Sequence, residues 1–273
     1  MLRTNTHGTK HPQFTIVTIT LNAATYLAQT MRSVLTQEGV TLEYLIVDGK
    51  SSDATLSIVR QFAAVDSRIR YVSEPDNGIS AAMNRGIELA TGDIIAFLHA
   101  DDFYPTSKVL AQVLKYFHDN LQQGWVTGGT TFVDQLNHEL RKVPARRFSY
   151  QRLLRNNIIM HPATFVRRDA FSSVGSFSTT FSYAMDYDLW IRLSRFQSPL
   201  VIGETLACFR VHSGSKSTKN DMETIDEEWQ VRKKYVNHPV KKGLHYIYYR
   251  LRRGVCWLRD RKVNGDGNGE KLD

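Results

Sequence analysis

The sequence predicts an α/β fold: a mostly parallel central sheet with helices on both faces, followed by a helical extension at the C-terminus. Three observations carry this prediction. Strand-like and helix-like apolar periodicities alternate along the N-terminal part of the chain. Strands separated by single helices pair in parallel through right-handed crossovers. The apolar runs LIV (45–47) and IIAFL (94–98) suit strands covered on both faces.

Taken in order, FTIVTIT from Phe14 to Thr20 is a β-branched strand, after which Leu27, Met31, Val34 and Leu35 recur at helical spacing. LEYLIVD is a second strand ending at Asp48, and Ser52 and Asp53 can cap the helix that carries Leu56, Ile58, Val59 and Phe62. IRYVSE is a third strand, the helix after Gly78 carries Ala82 and Ile87, and DIIAFLHA is a fourth strand. From Trp125 the spacing is less regular. TGGTTFVD, HELRKV, HPATFVRR and PLVIGETLACFRV read as strands, and SYAMDYDLWIRLSRF reads as a helix whose Leu189, Ile191, Leu193 and Phe196 are apolar. No linker rich in Pro, Gly or Ser separates the halves.

Beyond Ser217 the chain reads as helical, with Met222, Ile225, Trp229, Arg232 and Val236 on one face. After Pro239, Leu244, Ile247, Tyr248, Leu251, Val255 and Leu258 follow another. The expected organisation is a flexible N-terminus (1–12), a main domain (13–217) in two halves (13–124 and 125–217), a basic helical extension (218–263) and a disordered tail (264–273).

A chain of 273 residues with 42% apolar composition can bury a full core. Cys208 and Cys256 are the only cysteines, without CxxC spacing, so neither a disulfide scaffold nor a structural zinc is expected, and a reducing compartment fits best. The opening MLRTNTHGTKHPQ lacks the apolar core of a secretory signal, and no run approaches the roughly 20 apolar residues that span a bilayer. A cytoplasmic protein is expected. Of the formal charge of +8, most lies between Lys241 and Lys262, where eight Lys/Arg face one acid, Asp260. That segment admits three readings: a helix lying on an anionic membrane surface, a nucleic-acid contact, or a solvated helix packed on the domain. On the membrane reading its Leu, Ile, Tyr and Trp257 would insert while Lys and Arg face headgroups, and nucleic acid is not an expected partner.

In parallel α/β sheets ligands bind beyond the carboxyl ends of the strands. Asp48 follows LIV, Glu74 and Asp76 follow RYVS, and Asp101–Asp102 follow AFLHA, so these acids are expected to share one cleft. Adjacent carboxylates repel unless a cation or a donor relieves them. A hard divalent ion held by one or two carboxylates plus substrate phosphates is one solution. The plainer alternative, a cap for the helix beside Lys108, needs one acid rather than two. Gly78, Ala81, Ala82 and Gly86 surround a helix start, where small residues would let a phosphate approach. The first strand lacks GxGxxG, which argues against a NAD-dependent dehydrogenase.

Five segments, in order, resemble the family 2 glycosyltransferases, inverting enzymes of the GT-A fold: TITLNAATYLAQTMRSVLTQ, LIVDGKSSDAT, SEPDNGISAAMNRGIELATGDIIAFLHADD, MDYDLWIRL and FRVHSGSKS. The resemblance runs from Phe14 to about Ser217 and is similar to colanic acid and exopolysaccharide enzymes of bacteria. It implies transfer of a sugar from a UDP, GDP or dTDP donor to a hydroxyl of a saccharide or lipid-linked saccharide, in cell-surface polysaccharide assembly. Residues 13–124 would be the nucleotide-sugar half and 125–217 the acceptor side, with the protein cytoplasmic or peripheral on the inner face of the plasma membrane.

Carried over by position, Asp48 would recognise the nucleobase, with Thr20 and Asn22 in the same pocket. Asp76 and Asn84 would lie near the nucleotide and its sugar, and Asp101 near the ribose or donor sugar. Asp102 would hold a Mg²⁺ or Mn²⁺ ion bridging the diphosphate, and Asp186 would be the catalytic base, with Asp188 its rival. Arg210, His212 and Ser217 would belong to a loop over the diphosphate, His212 able to ligate the metal and Arg210 to pair with phosphate. His161 reads equally as an acceptor contact or a structural histidine, Trp190 as core, and Cys208 as a small buried residue. The competing classes are a sugar-phosphate nucleotidyltransferase, whose glycine-rich N-terminal loop is missing here, and a non-catalytic nucleotide-sugar binder.

Overall fold

The computed structural model describes residues 11–212, 214 and 221–265, with side chains in the last helix as far as Arg259. Ser217 and nearly all of the expected N-terminal and C-terminal tails lie outside the described residues. The N-terminal half runs β1 (Phe14–Thr20), α1 (Ala24–Leu35), β2 (Leu42–Asp48), α2 (Thr55–Val65), β3 (Ile69–Ser73), α3 (Ile79–Leu89), β4 (Ile94–Phe97) and α4 (Val109–Asp119). It continues with β5 (Trp125–Val133), β6 (Glu139–Val143), α5 (Tyr150–Arg155), a 3-10 turn (His161–Ala163), β7 (Thr164–Arg167), α6 (Arg168–Val174), α7 (Met185–Phe196) and β8 (Leu200–Arg210). Two helices follow, α8 (Asp221–Tyr235) and α9 (Pro239–Gly265).

Among the described residues the strands form one eight-stranded sheet in the order β3-β2-β1-β4-β7-β5-β6, with β8 paired to β5. The pairs β1–β2, β2–β3 and β1–β4 are parallel, as the alternation of strands and helices predicts, and β5–β8 is parallel too. β7 enters antiparallel to both β4 and β5, and β6 antiparallel to β5. Strand alternation sorts the core into two layers. Ile16, Tyr44, Ile46 and Ala96 face α1, α2 and α4, while Val17, Leu45, Val47, Ile95 and Phe97 face α3 and α7. Leu27, Met31 and Val34 are fully buried, as the helical spacing predicts.

Two local expectations change, and one alternative falls away. Gly86 serves packing: a Cβ there would stand 2.5 Å from Val17 Cγ1, so its missing side chain lets α3 settle on β1. Asp101–Asp102 do not cap α4, whose preceding residue is Lys108 with no side-chain cap. Asp53 alone accepts from the start of α2, at Thr55 N (2.9 Å), and it also receives Ala24 N from α1 (3.2 Å), whereas Ser52 turns to Asn22.

α8 buries Ile225, Val231 and Arg232 against the domain. α9 packs on α8 through Tyr246 and Tyr249 around Trp229 and through Arg252–Glu228 and Arg253–Asp226 pairs. No helix among the described residues is long and apolar enough to cross a membrane.

Candidate active site

The parallel half delivers its acids to one edge because the strands end in register. Thr20 lies opposite Asp48, and Asp48 opposite Ser73. Asp48 is fully buried and accepts four hydrogen bonds, from Thr20 Oγ1 (2.9 Å), Ser51 Oγ (2.5 Å), Ser51 N (3.0 Å) and Ser73 Oγ (2.7 Å). Burial alone would raise its pKa, but the Ser51, Ser73 and Thr20 donors outweigh it and hold the carboxyl below its ordinary value. Asn22 takes the left-handed conformation (φ 52°) and accepts from Ser52 N (2.9 Å), tying the β1–α1 turn to the β2–α2 turn. Asp76 closes the same corner. Its Oδ1 holds Gly78 N (2.9 Å), and a Cβ on Gly49 would stand 2.5 Å from its Oδ2.

Asn84 is committed elsewhere. Its amide donates to Phe177 O (2.9 Å) and accepts from Phe177 N (2.8 Å), anchoring to α3 the segment that leads into α7. Phe177 is buried, so Asn84→Ala should strand both groups and cost about 1–3 kcal/mol, measurable by urea unfolding.

The Asp101–Asp102 turn is stitched to the end of β8. Phe103 and Cys208 form a two-way antiparallel bridge, and Arg210 N donates to Asp102 Oδ1 (3.0 Å). This brings His212 Nε2 to 3.0 Å from Asp101 Oδ2, so the histidine expected beside Asp102 meets its neighbour instead. Asp102 is fully buried, and its Oδ2 has no hydrogen-bond partner. Burial first, and then the adjacent Asp101 charge, push its pKa well above the ordinary carboxylate range.

Arg210 departs from the expected phosphate contact. It is fully buried between Tyr26 and Phe103, 4.4 Å and 5.4 Å from their ring centres. Nε donates to Asp101 O, Nη1 to the carbonyls of Asp134 and Gln135, and Nη2 to Gln29 Oε1 and Asn137 Oδ1, all within 2.7–3.2 Å. A guanidinium has five N–H donors. All five are engaged, so Arg210 holds the acidic turn in place and has none left for a phosphate.

Asp186 and Asp188 separate cleanly. Asp188 is buried, with one oxygen accepting from Arg192 Nε (2.8 Å) and the other from Tyr235 OH (3.0 Å). Asp186 keeps 19% of its side chain exposed and accepts from Tyr187 N (2.6 Å) and Asn157 Nδ2 (3.2 Å). Its pKa is pushed up to about 6, chiefly by desolvation, with the Tyr187 and Asn157 hydrogen bonds opposing.

His161 Nδ1 lies 4.0 Å from Asp186 Oδ2, and the ring stacks on His99 with centroids 5.0 Å apart and planes at 15°. His99 stands two residues before Asp101, in the turn that follows β4. Burial, followed by the His99 charge, lowers the His161 pKa well below its ordinary value. A row of side chains therefore runs from His212 and Asp101, past the stacked His99 and His161, to Asp186. His99 and Asn157 were not singled out from the sequence, although a histidine two positions before an acid pair at a strand end is a usable signal. Trp190 is core, stacked on Trp125 at 5.8 Å, and Cys208 is buried.

A parallel half-sheet ending in carboxylates, continued by a mixed half whose helix α7 brings a further carboxylate, has the architecture of GT-A glycosyltransferases. Among solved structures it is similar to the mannosyltransferase PcManGT from Pyrobaculum calidifontis, solved with GDP-Man and Mn²⁺ (TM-score 0.65, 18% identity, 97% of this chain and 77% of that one). It is also similar to S. aureus TarS in complex with UDP-GlcNAc (TM-score 0.62, 13% identity, 88% and 72%). Residues 15–175 match the family model Glycosyl transferase family 2, and the chain belongs to that family. A PGL/p-HBAD biosynthesis glycosyltransferase of Mycobacterium tuberculosis is 31% identical over 219 residues, covering 78% of this chain and 83% of the relative. The Escherichia coli enzyme WfgD, named as a UDP-Glc:alpha-D-GlcNAc-diphosphoundecaprenol beta-1,3-glucosyltransferase, is 26% identical over 246 residues, covering 89% and 93%. The chain is thus a glycosyltransferase.

Proposed function

We propose that this glycosyltransferase transfers a sugar, with inversion, from a nucleoside-diphosphate sugar to a hydroxyl of a saccharide or lipid-linked saccharide in cell-surface polysaccharide assembly. The observation that carries this reading is the row from Asp101–His212 to Asp186. It offers an acidic donor end and a separate, partly exposed carboxylate of raised pKa for the acceptor. Residues 13–124 serve the donor and 125–217 the acceptor, with 218–263 as an extension; Thr20, Asn22, Asp48 and Asp76 shape the nucleotide corner. The names of the relative WfgD and of PcManGT support the donor and acceptor classes.

Inversion requires attack on the face opposite the leaving nucleoside diphosphate. Asp186 accepts the acceptor hydroxyl proton as the oxygen bonds to the anomeric carbon, a contribution typically of about 10²–10⁴-fold. His161, held neutral by burial, fixes the wall beside Asp186 without placing a competing cation there.

A divalent cation fits the opposite end. Asp102 Oδ2 is a buried oxygen without a partner, and Asp101 and His212 supply a hard oxygen and an imidazole nitrogen 3.0 Å apart. Among the described residues no group of three or more His, Cys, Asp or Glu could hold a metal alone, so the diphosphate must complete the set. Mg²⁺ or Mn²⁺ held by Asp102 and His212 together with the diphosphate itself would supply positive charge against the leaving group.

The test is release of nucleoside diphosphate from a panel of UDP, GDP and dTDP sugars, with and without acceptor. Turnover is expected with Mn²⁺ and is expected to be lost on chelation with EDTA and restored by added metal. Full activity in EDTA would remove the metal. No transfer, together with formation of nucleotide sugar from sugar phosphate and nucleoside triphosphate, would favour a nucleotidyltransferase.

A further inference from the structure

α9 presents an unusual surface. Val240, Leu244, Ile247, Leu251, Val255 and Leu258 recur at three- and four-residue spacing and are each 56–68% exposed. They form one continuous apolar stripe along a helix that carries no acid between Pro239 and Arg259. Stripes of this size on a water-facing surface mark interaction sites.

At one end of the stripe, between α5 and α9, lies a cavity of about 380 Å³ lined by Gln151, Arg155, Lys241, Leu244, His245 and Tyr248. Its walls combine cations and donors with apolar area. Arg252, Arg253 and Arg259 of α9 pair with Glu228, Asp226 and Asp221 of α8, whereas neither Arg155 nor Lys241 joins an ion pair among the described residues. Behind the cavity, Arg232 is fully buried with Nε and Nη2 lacking hydrogen-bond partners, while its Nη1 donates to Arg155 O (2.6 Å). His245 Nδ1 is likewise buried without a partner. Burial lowers the His245 pKa, and the Arg232 and Arg155 charges lower it further. Glu228 is the acid that acts on both Arg232 and Arg252, so cations outnumber acids here. The deficit calls for an anion.

The cavity is also tied to the acceptor side. Tyr248, one of its walls, donates to Asn156 Oδ1 (2.7 Å), and the next residue, Asn157, donates to Asp186. Arg155 and Asn157 are two residues apart, at most about 7 Å of chain. A phosphate seated beside Arg155 would thus stand within a short saccharide's length of the segment that contacts Asp186.

We propose that the α5–α9 cavity binds the phosphate end of a lipid-linked acceptor, whose hydrocarbon chain enters the membrane surface beside the apolar stripe of α9. This rests on the glycosyl-transfer reading above and gives it a lipid-phosphate acceptor. Charge and surface select this occupant. A free phosphate would leave the stripe bare, and a second copy of the chain would bring like charge against Lys241 and Arg155.

The test is flotation of the full chain with neutral phosphatidylcholine vesicles, with the same vesicles holding a few mole per cent undecaprenyl phosphate, and with vesicles matched in charge by phosphatidylglycerol. The wild type is expected to prefer undecaprenyl phosphate over the matched phosphatidylglycerol. Arg155→Ala with Lys241→Ala should weaken that binding about thirtyfold, given about 1 kcal/mol for each cation near an anionic surface. Ile247→Asp with Leu251→Asp, both exposed and so compatible with folding, should abolish binding to all vesicles. Equal binding to the two charged vesicles would overturn the phosphate site, as would unchanged binding by the Arg155/Lys241 double variant. A dimer broken by the stripe variant, without vesicle binding, would assign the stripe to a second copy. Donor binding by the same variants, read by calorimetry, separates the two readings: its absence in the wild type would defeat the transferase assignment, while the vesicle result would still stand.

Discussion

Asp186→Asn is expected to lower sugar transfer by about 10²–10⁴-fold while leaving donor affinity within about twofold. The separation follows from position. Asp186 lies on α7 beside His161 and Asn157, and its recorded hydrogen bonds reach neither the Asp101–His212 end nor the Asp48 corner. Calorimetry with donor and a product assay read the two quantities independently. Near-complete transfer by the variant would mean that the acceptor proton goes elsewhere. Asp188→Asn is the control, and it should act through stability because both Asp188 oxygens are engaged by Arg192 and Tyr235.

The same carboxyl sets a pH signature. As a base Asp186 must be ionised, so transfer should rise with pH through about 6, where its pKa is pushed by desolvation. Linkage gives the opposite trend for stability. The folded pKa lies above the unfolded one, so the fold binds this proton more tightly, and that contribution is lost as pH rises through about 6. Asn carries no charge to desolvate. Asp186→Asn should therefore be the more stable protein at pH 8, by on the order of 1–2 kcal/mol after its weaker hydrogen bonds are allowed for, and the two proteins should converge near pH 4. A variant that is inactive yet melts higher is what an electrostatically strained base produces.

How far these roles can be read from sequence depends on the range of the interactions that set them. β1 to β4 were legible because parallel strands covered on both faces write continuous apolar runs, and their terminal acids follow directly. The strands β5 to β8 were legible as strands, but their direction was not, since antiparallel entry of β7 depends on its pairing with β4 and β5. The choice between Asp186 and Asp188 was partly written locally. Asp188 and Arg192 are four apart on one helix and form an ion pair, a spacing that alone predicts Asp188 is occupied. Tyr235, its other partner, comes from α8 and had no local signal. Likewise, nothing near His99 announces His161, 62 positions later, as its stacking partner. Asn84 sits in a segment shared with the family, yet its hydrogen bonds are to a backbone reached only through the tertiary fold.

Arg210 is the sharpest case, because the two roles it could hold predict different measurements. Were it a phosphate ligand, Arg210→Lys would keep the charge, leave stability nearly unchanged and raise the KM for donor. The geometry predicts the reverse order. Lysine offers three donors on one nitrogen and cannot span the carbonyls of Asp101, Asp134 and Gln135 together with Gln29 and Asn137, so at least two of these part-buried hydrogen bonds are lost. At roughly 0.5–1.5 kcal/mol for each hydrogen bond lost, Arg210→Lys should destabilise the fold by about 1–3 kcal/mol. The loss would loosen Asp101, and with it the His212 contact, so turnover should fall and the Mn²⁺ concentration for half-maximal activity should rise. Urea unfolding alongside a metal titration distinguishes the roles. Unchanged unfolding with a tenfold higher donor KM would return Arg210 to the phosphate, whereas lost stability with a weakened metal response makes it the clamp that holds the acidic turn against β8.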